Sequence, residues 1–274
     1  MRNSIKTPRT YYIGAAILAA LTALLRALSL TLTFDPANGY YTPGALPIIT
    51  RVFTVLSLIA LLLFPIFALK DRIKEKHAAP TTHTAIGAWL CALLLLLNFI
   101  CGCTLQSAAL PVPILAVGLL ALLVAIAYFA LQTRLFKASA TVHVVLGCFT
   151  IVALACLIGF TYFDISTPMN VPHKVELHLA LLAAMLYFLY ELRAKAEISR
   201  PLALCVCGGI AFFLAVSVGL SDTAAYLAGS YTDPVYLAQD LLLLSLAVYI
   251  GARGMADAAL SQKLTERTDS NECQ

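Results

Sequence analysis

Arg26 stands inside the apolar run YYIGAAILAALTALLRALSLTLTF, residues 11–34. It lies about eight residues from the end of that run, or about 12 Å at 1.5 Å per helical residue. A charge at that depth in a membrane costs about 3 kcal/mol or more and is normally turned inward and paired. Thr22, Arg26, Ser29 and Thr33 fall at i, i+4, i+7 and i+11, which puts all four on one helix face. Asp240 lies at comparable depth in the last apolar run, with Tyr236 one turn above it. Sign and depth predict an Arg26–Asp240 ion pair, with Asn98 and His178 as hydrogen-bonding neighbours. Such a constellation can do two things. It can tie the first and last helices together, the arginine stem reaching toward the interface, or it can line a polar, outward-opening pocket that binds a solute.

Other chemistry is harder to assemble. HKVELH places His173, Glu176 and His178 together, but His173 and His178 are five apart, whereas two metal ligands on one helix face need a spacing of three or four. The expectation is no metal site and no cofactor. Cys101 and Cys103, like Cys205 and Cys207, are two apart on predicted helices and point to divergent faces, unlike a redox CxxC. Tyr187, Tyr190 and Glu191 near the end of the sixth run fit an interfacial helix end. There is no GxSxG, HExxH or phosphate-cradling glycine loop, so the expectation is a non-enzymatic protein.

The elements that must carry these residues follow from composition. A chain of 274 residues, 61% hydrophobic and 12% charged, has more apolar surface than a soluble core can bury, and its mean hydropathy is +0.89. About 20 apolar residues span a hydrocarbon core, and eight such runs lie between polar punctuation, near 11–34, 46–69, 85–105, 111–131, 142–163, 175–192, 202–220 and 235–253. The first is too long for a signal peptide and lacks its cleavage site, so it is expected to be a transmembrane helix. The fold class is therefore all-α, an integral membrane protein with eight transmembrane helices and no room for a soluble domain. A short polar tail follows, read as either disordered or a helix extension.

Cytoplasmic segments retain Lys and Arg. Eight spans put 15 of the 18 basic residues on one side, leaving Arg51 and Lys174 on the other and Arg26 within a helix. Both termini are thus expected in the cytoplasm. The formal charge of +4 needs no nucleic acid, because basic loops can rest against anionic headgroups of the bilayer. The outer side carries Asp35, Asp164, Glu176, Asp222 and Asp233, either a surface modestly attractive to cations or what remains when the orientation rule keeps basic residues out of external loops, and Tyr40, Tyr41, Tyr162, Tyr226, Tyr231 and Tyr236 fit interface anchors.

Two runs leave the membrane alike, through Phe34-Asp35 and Phe163-Asp164. Pro80 and Pro201, Pro113 and Pro234, and Tyr128 and Tyr249 are each 121 residues apart. This spacing suggests a 4+4 parallel repeat, with halves at 1–137 and 138–274 related by a pseudo-twofold axis along the membrane normal. Interface chemistry alone also collects Pro and Tyr at helix ends, and that alternative stands beside it.

The exit TFDPANGYYTPG, together with YFLYELRAK and the proline soon after it, resembles small polytopic membrane proteins of clostridial-type gut bacteria. The resemblance implies a bacterial plasma membrane location and no particular reaction. Two functions remain: binding or transport of a small polar or cationic solute, or a non-transporting sensor, assembly factor or subunit that works by contacts with another membrane protein.

Overall fold

The computed structural model describes residues 8–35, 39–69, 79–105, 111–133, 138–164, 171–230 and 232–272. Tyr231 and most of the basic loop residues that set the expected orientation, among them Lys70, Arg72, Lys74, Lys76, Arg134 and Lys137, lie outside the described residues. Eight helices form: α1 Pro8–Thr33, α2 Ala45–Ala68, α3 Thr82–Thr104, α4 Val112–Leu131, α5 Ala140–Phe163, α6 Pro172–Lys195, α7 Pro201–Leu227 and α8 Pro234–Glu272. All eight are long and apolar enough to cross a membrane. The protein is an all-α, multi-pass membrane protein in contact with the bilayer.

Helix boundaries follow local chemistry. Proline sits in the first turn of α4, α6 and α7, where its missing N–H costs nothing. Thr81 and Thr84 form a reciprocal capping box at the start of α3. Between α1 and α2 the chain makes a small antiparallel hairpin, β1 Phe34–Asp35 with β2 Tyr40–Tyr41. Gly39, at φ +73°, closes it in a conformation that L side chains rarely adopt. The side of the bundle bearing this hairpin is called the hairpin end below, and the opposite side, where α1 begins, the terminal end.

Two helices run past the expected boundaries. α8 continues beyond residue 253 to Glu272, so the polar tail takes the helix-extension alternative. α7 continues past residue 220 to Leu227 and stops at Gly229, φ +81°. There the N–H of Ser230 bonds the carbonyl of Ala225, and the N–H of Gly229 bonds that of Tyr226, the pair of bonds that ends helices in a Schellman motif. The extension carries Asp222, expected in an outer loop, into the bundle.

α7 and α8 form the centre, with 67% and 72% of their apolar windows buried, against 22% for α2. α7 packs on α1, α2, α6 and α8; α8 packs on α1, α3 and α7; and α3, α4, α5 and α6 follow one another around the outside. Gly219 allows the close approach of α7 to α8, because a Cβ there would lie 2.8 Å from the carbonyl oxygen of Asp240. Of the four most extensive interfaces, α7–α8 and α6–α7 lie within the second half and α1–α7 and α3–α8 cross the midpoint of the chain. Exchanging halves would turn α1–α7 and α6–α7 into α5–α3 and α2–α3, neither of which is a packed pair among the described residues.

Candidate functional site

The α1 stripe turns inward as its spacing requires: Thr22, Arg26 and Ser29 are buried. The hydroxyls of Thr22 and Ser29 donate to the carbonyls of Leu18 and Leu25 at 2.8 and 3.0 Å, and Ser29 also meets the Thr50 hydroxyl of α2 at 2.9 Å. Their own helix satisfies them, so they offer the pocket oxygen lone pairs at little cost.

Arg26 pairs with carboxylates other than the expected one. Its Nη1 lies 2.9 Å from Oδ1 of Asp222, its Nη2 donates to Oδ2 at 3.1 Å, and its Nε meets Glu176. Nη1 also donates to the Ser221 hydroxyl at 2.7 Å. The fork geometry of guanidinium on carboxylate explains the preference, since Asp222 presents both oxygens to it. Asp240 sits beside this pair and is not one of its two arms. Oδ2 of Asp222 also lies 2.6 Å from Nδ1 of His173, a third partner for a carboxylate with no exposed surface.

Tyr236 lies against His173, beside the paired network. Its ring packs edge-on against His173 at 4.5 Å between centroids, and its hydroxyl donates to Oδ2 of Asp164 at 2.7 Å. Asn98 and His178 are not brought to Arg26. The Asn98 amide donates to the carbonyls of Leu94 and Ala238, bracing α3 against α8. His178 meets the Thr161 hydroxyl at 2.6 Å and braces α6 against α5. Both are polar groups satisfied at a helix interface, a demand that sequence depth cannot distinguish from a place in a site.

The acidic outer surface is also revised. Asp222 and Glu176 are spent on Arg26, Asp164 receives Tyr236 and Lys174, and Asp233 caps α8 through the N–H of Val235 at 2.8 Å. Carboxylates paired within the protein exert little pull on an external cation, which weakens the expected attraction at Asp164, Glu176 and Asp222.

His173, Asp222 and Asp240 each present a ligand-forming atom, all within 4.8 Å of one another. Spacing along α6 could not reveal this group, because the two aspartates come from α7 and α8. As placed, however, both oxygens of Asp222 already receive Arg26, and one receives His173 as well. The arrangement is that of a charge-paired network, and a metal ion would have to displace the guanidinium. Oδ1 of Asp240 is buried and has no hydrogen-bond partner among the described residues.

Beside this network lies a cavity of about 410 Å³. Arg26, Arg51, Glu176, Tyr41 and Thr50 line its hairpin end, and Val55, Leu58, Leu179 and Leu214 line its deeper part. Arg51 makes no ion pair among the described residues; its guanidinium lies 5.8 Å from the centre of the Tyr41 ring. Burial pushes the Tyr41 phenol above its ordinary pKa, which keeps it a hydroxyl donor.

A second polar cluster lies at the terminal end, where the sequence suggests only an interfacial helix end. Glu191 is 2% exposed. It accepts from Tyr249 at 2.9 Å and Tyr128 at 3.3 Å, and Lys195 and Arg253 stand 3.5 and 3.8 Å away. Phe129 and Phe188 pack on both tyrosines.

Fold and site together define a polytopic α-helical membrane protein with an ion-paired pocket near one end of its helices. Comparison with protein families, curated proteins and solved structures found no match for this chain.

Proposed function

We propose that this protein binds, and in that way serves the transport of, a small ligand at the pocket between α1, α2, α6 and α7. It is read as a non-enzymatic component of a bacterial plasma membrane, with both termini cytoplasmic and the hairpin end outside. The excess of Lys and Arg in the loops on the terminal side supports that orientation. The observation that carries the reading is the cavity of about 410 Å³ onto which both Arg51 and the Arg26–Glu176 pair open. The pair thus borders a concave, largely apolar space of ligand size with a few convergent polar groups, which is the form of a binding site.

The test is thermal unfolding of the detergent-purified protein against amino acids, sugars, nucleosides, amines and lipids, with Arg51→Gln/Glu176→Gln in parallel. A ligand that binds only the folded state raises its unfolding temperature by mass action. The reading expects at least one compound to do so in the native protein and to lose its effect in the folded variant. If none does, the pocket reading falls and a partner-binding membrane component takes its place.

A further inference from the structure

The walls of the pocket say more about its ligand than its volume does. α2 packs on α1 and α7, and α6 packs on α5 and α7, but α2 and α6 are not a packed pair among the described residues. The cavity occupies the interval between them, with α1 and α7 as its back wall. Its open side is therefore a slot between two membrane-spanning helices. Along that slot Val55 is 54% exposed, Val175 45% and Leu179 50%, so the rim is apolar and faces the space that acyl chains fill.

The lining is graded along the membrane normal. Arg51 lies six residues into α2 and Glu176 four residues into α6, about 9 and 6 Å below the helix starts. Leu58 and Leu214 lie about 20 Å below the hairpin end, near the middle of a hydrocarbon core about 30 Å thick. Polar groups thus occupy headgroup depth and apolar groups acyl depth. Arg26 is held by Asp222 and Glu176. Arg51 stands outside those pairs, and its guanidinium lies at the polar end of the slot, beside the Tyr41 ring and hydroxyl. A guanidinium in this setting suits a phosphate.

We infer that the ligand of this pocket is an anionic phospholipid of the leaflet at the hairpin end, which moves in sideways between α2 and α6 with its phosphate on Arg51 and a chain against Val55, Leu58 and Leu179. This rests on the pocket being a ligand site and names the class of ligand. The groove in this way selects a molecule that is already in the membrane, and the bilayer supplies it at high local concentration.

The experiment uses the full chain in mild detergent and follows thermal unfolding and native mass spectrometry with phosphatidylglycerol, phosphatidylcholine and glycerol phosphate. Two variants act on separate parts of the slot: Arg51→Gln at the head and Val55→Trp/Leu179→Trp at the apolar rim. Both leave the Arg26 network intact and change half-exposed or pocket-facing positions, and retained helical content checks their fold. Phosphatidylglycerol is expected to stabilise the native protein more than either other probe. Arg51→Gln should weaken it about tenfold, the weight of one charge-assisted hydrogen bond, and the double tryptophan variant should abolish it. Stabilisation by glycerol phosphate equal to that by the lipid, or lipid binding undiminished in both variants, would overturn the inference. If a water-soluble compound binds and phosphatidylglycerol does not, the pocket stands as a ligand site and the lipid assignment alone is lost.

Discussion

The hairpin-end and terminal-end clusters are built from the same parts. Each centres on a carboxylate with almost no exposure, Asp222 on one side and Glu191 on the other, and each carboxylate is met by a guanidinium and by further hydrogen-bond donors. They differ in what closes them. Around Glu191, the rings of Tyr128, Phe129, Phe188 and Tyr249 pack at centroid distances of 5.4 to 6.1 Å, and they join α4, α6 and α8. Around Asp222, one face holds Tyr236 and His173 and another opens through Arg26 and Glu176 onto the cavity. A buried pair sealed by aromatic rings specifies a packing arrangement, whereas the same chemistry beside a cavity is available to a ligand.

Arg26→Ala should have the largest effect, because it leaves Asp222, which has no exposed surface, without its guanidinium. Breaking a buried pair from one side costs about 3–5 kcal/mol. Equilibrium unfolding in mixed micelles should register that loss, and a change below about 1 kcal/mol would show that the pair is solvated.

Glu191→Gln should cost less, about 2 kcal/mol. It removes the negative charge that Lys195 and Arg253 face but keeps an oxygen to accept from Tyr128 and Tyr249. Ligand-induced stabilisation should be unchanged in this variant, which is the sharper part of the contrast. Altered ligand response there would join the two clusters into one functional unit.

The smallest effect belongs to Asp240→Asn. Asp222 and Asp240 are close neighbours, yet Arg26 and His173 hold the first, and Oδ1 of the second has no hydrogen-bond partner among the described residues. Asp222→Asn should therefore destabilise by about 2–3 kcal/mol, while Asp240→Asn should be neutral or stabilising by up to about 1 kcal/mol. Equal losses in the two variants would place Asp240 inside the paired network.

The eight helices were legible because the bilayer sets a length and a polarity that each span must meet. Arg26 was legible for the same reason: a cation in an apolar run, with hydroxyls on its own face, must turn inward. Its partner was not. Asp222 follows Ser217 and Ser221 near an apparent helix end, and depth alone favoured Asp240. What carries α7 past residue 220 is the neutralisation of Asp222 by a residue 196 positions earlier, which no local pattern contains. One signal was present, because no glycine or proline interrupts residues 220–228 and Gly229 stands where a helix stop belongs. Spacing along α6 compares His173 only with His178, whereas its neighbours in the fold come from α7 and α8.

The most direct test of the contrast is accessibility. In a cysteine-free background, Thr54→Cys would place one thiol in the pocket and Gln132→Cys one beside the Glu191 cluster. Intact cells would then be treated with a membrane-impermeant maleimide. The account predicts labelling of the Thr54 variant from outside and protection of the Gln132 variant even after the cells are opened. A Thr54 variant that reacts only in opened cells, or a Gln132 variant that labels as readily, would contradict it.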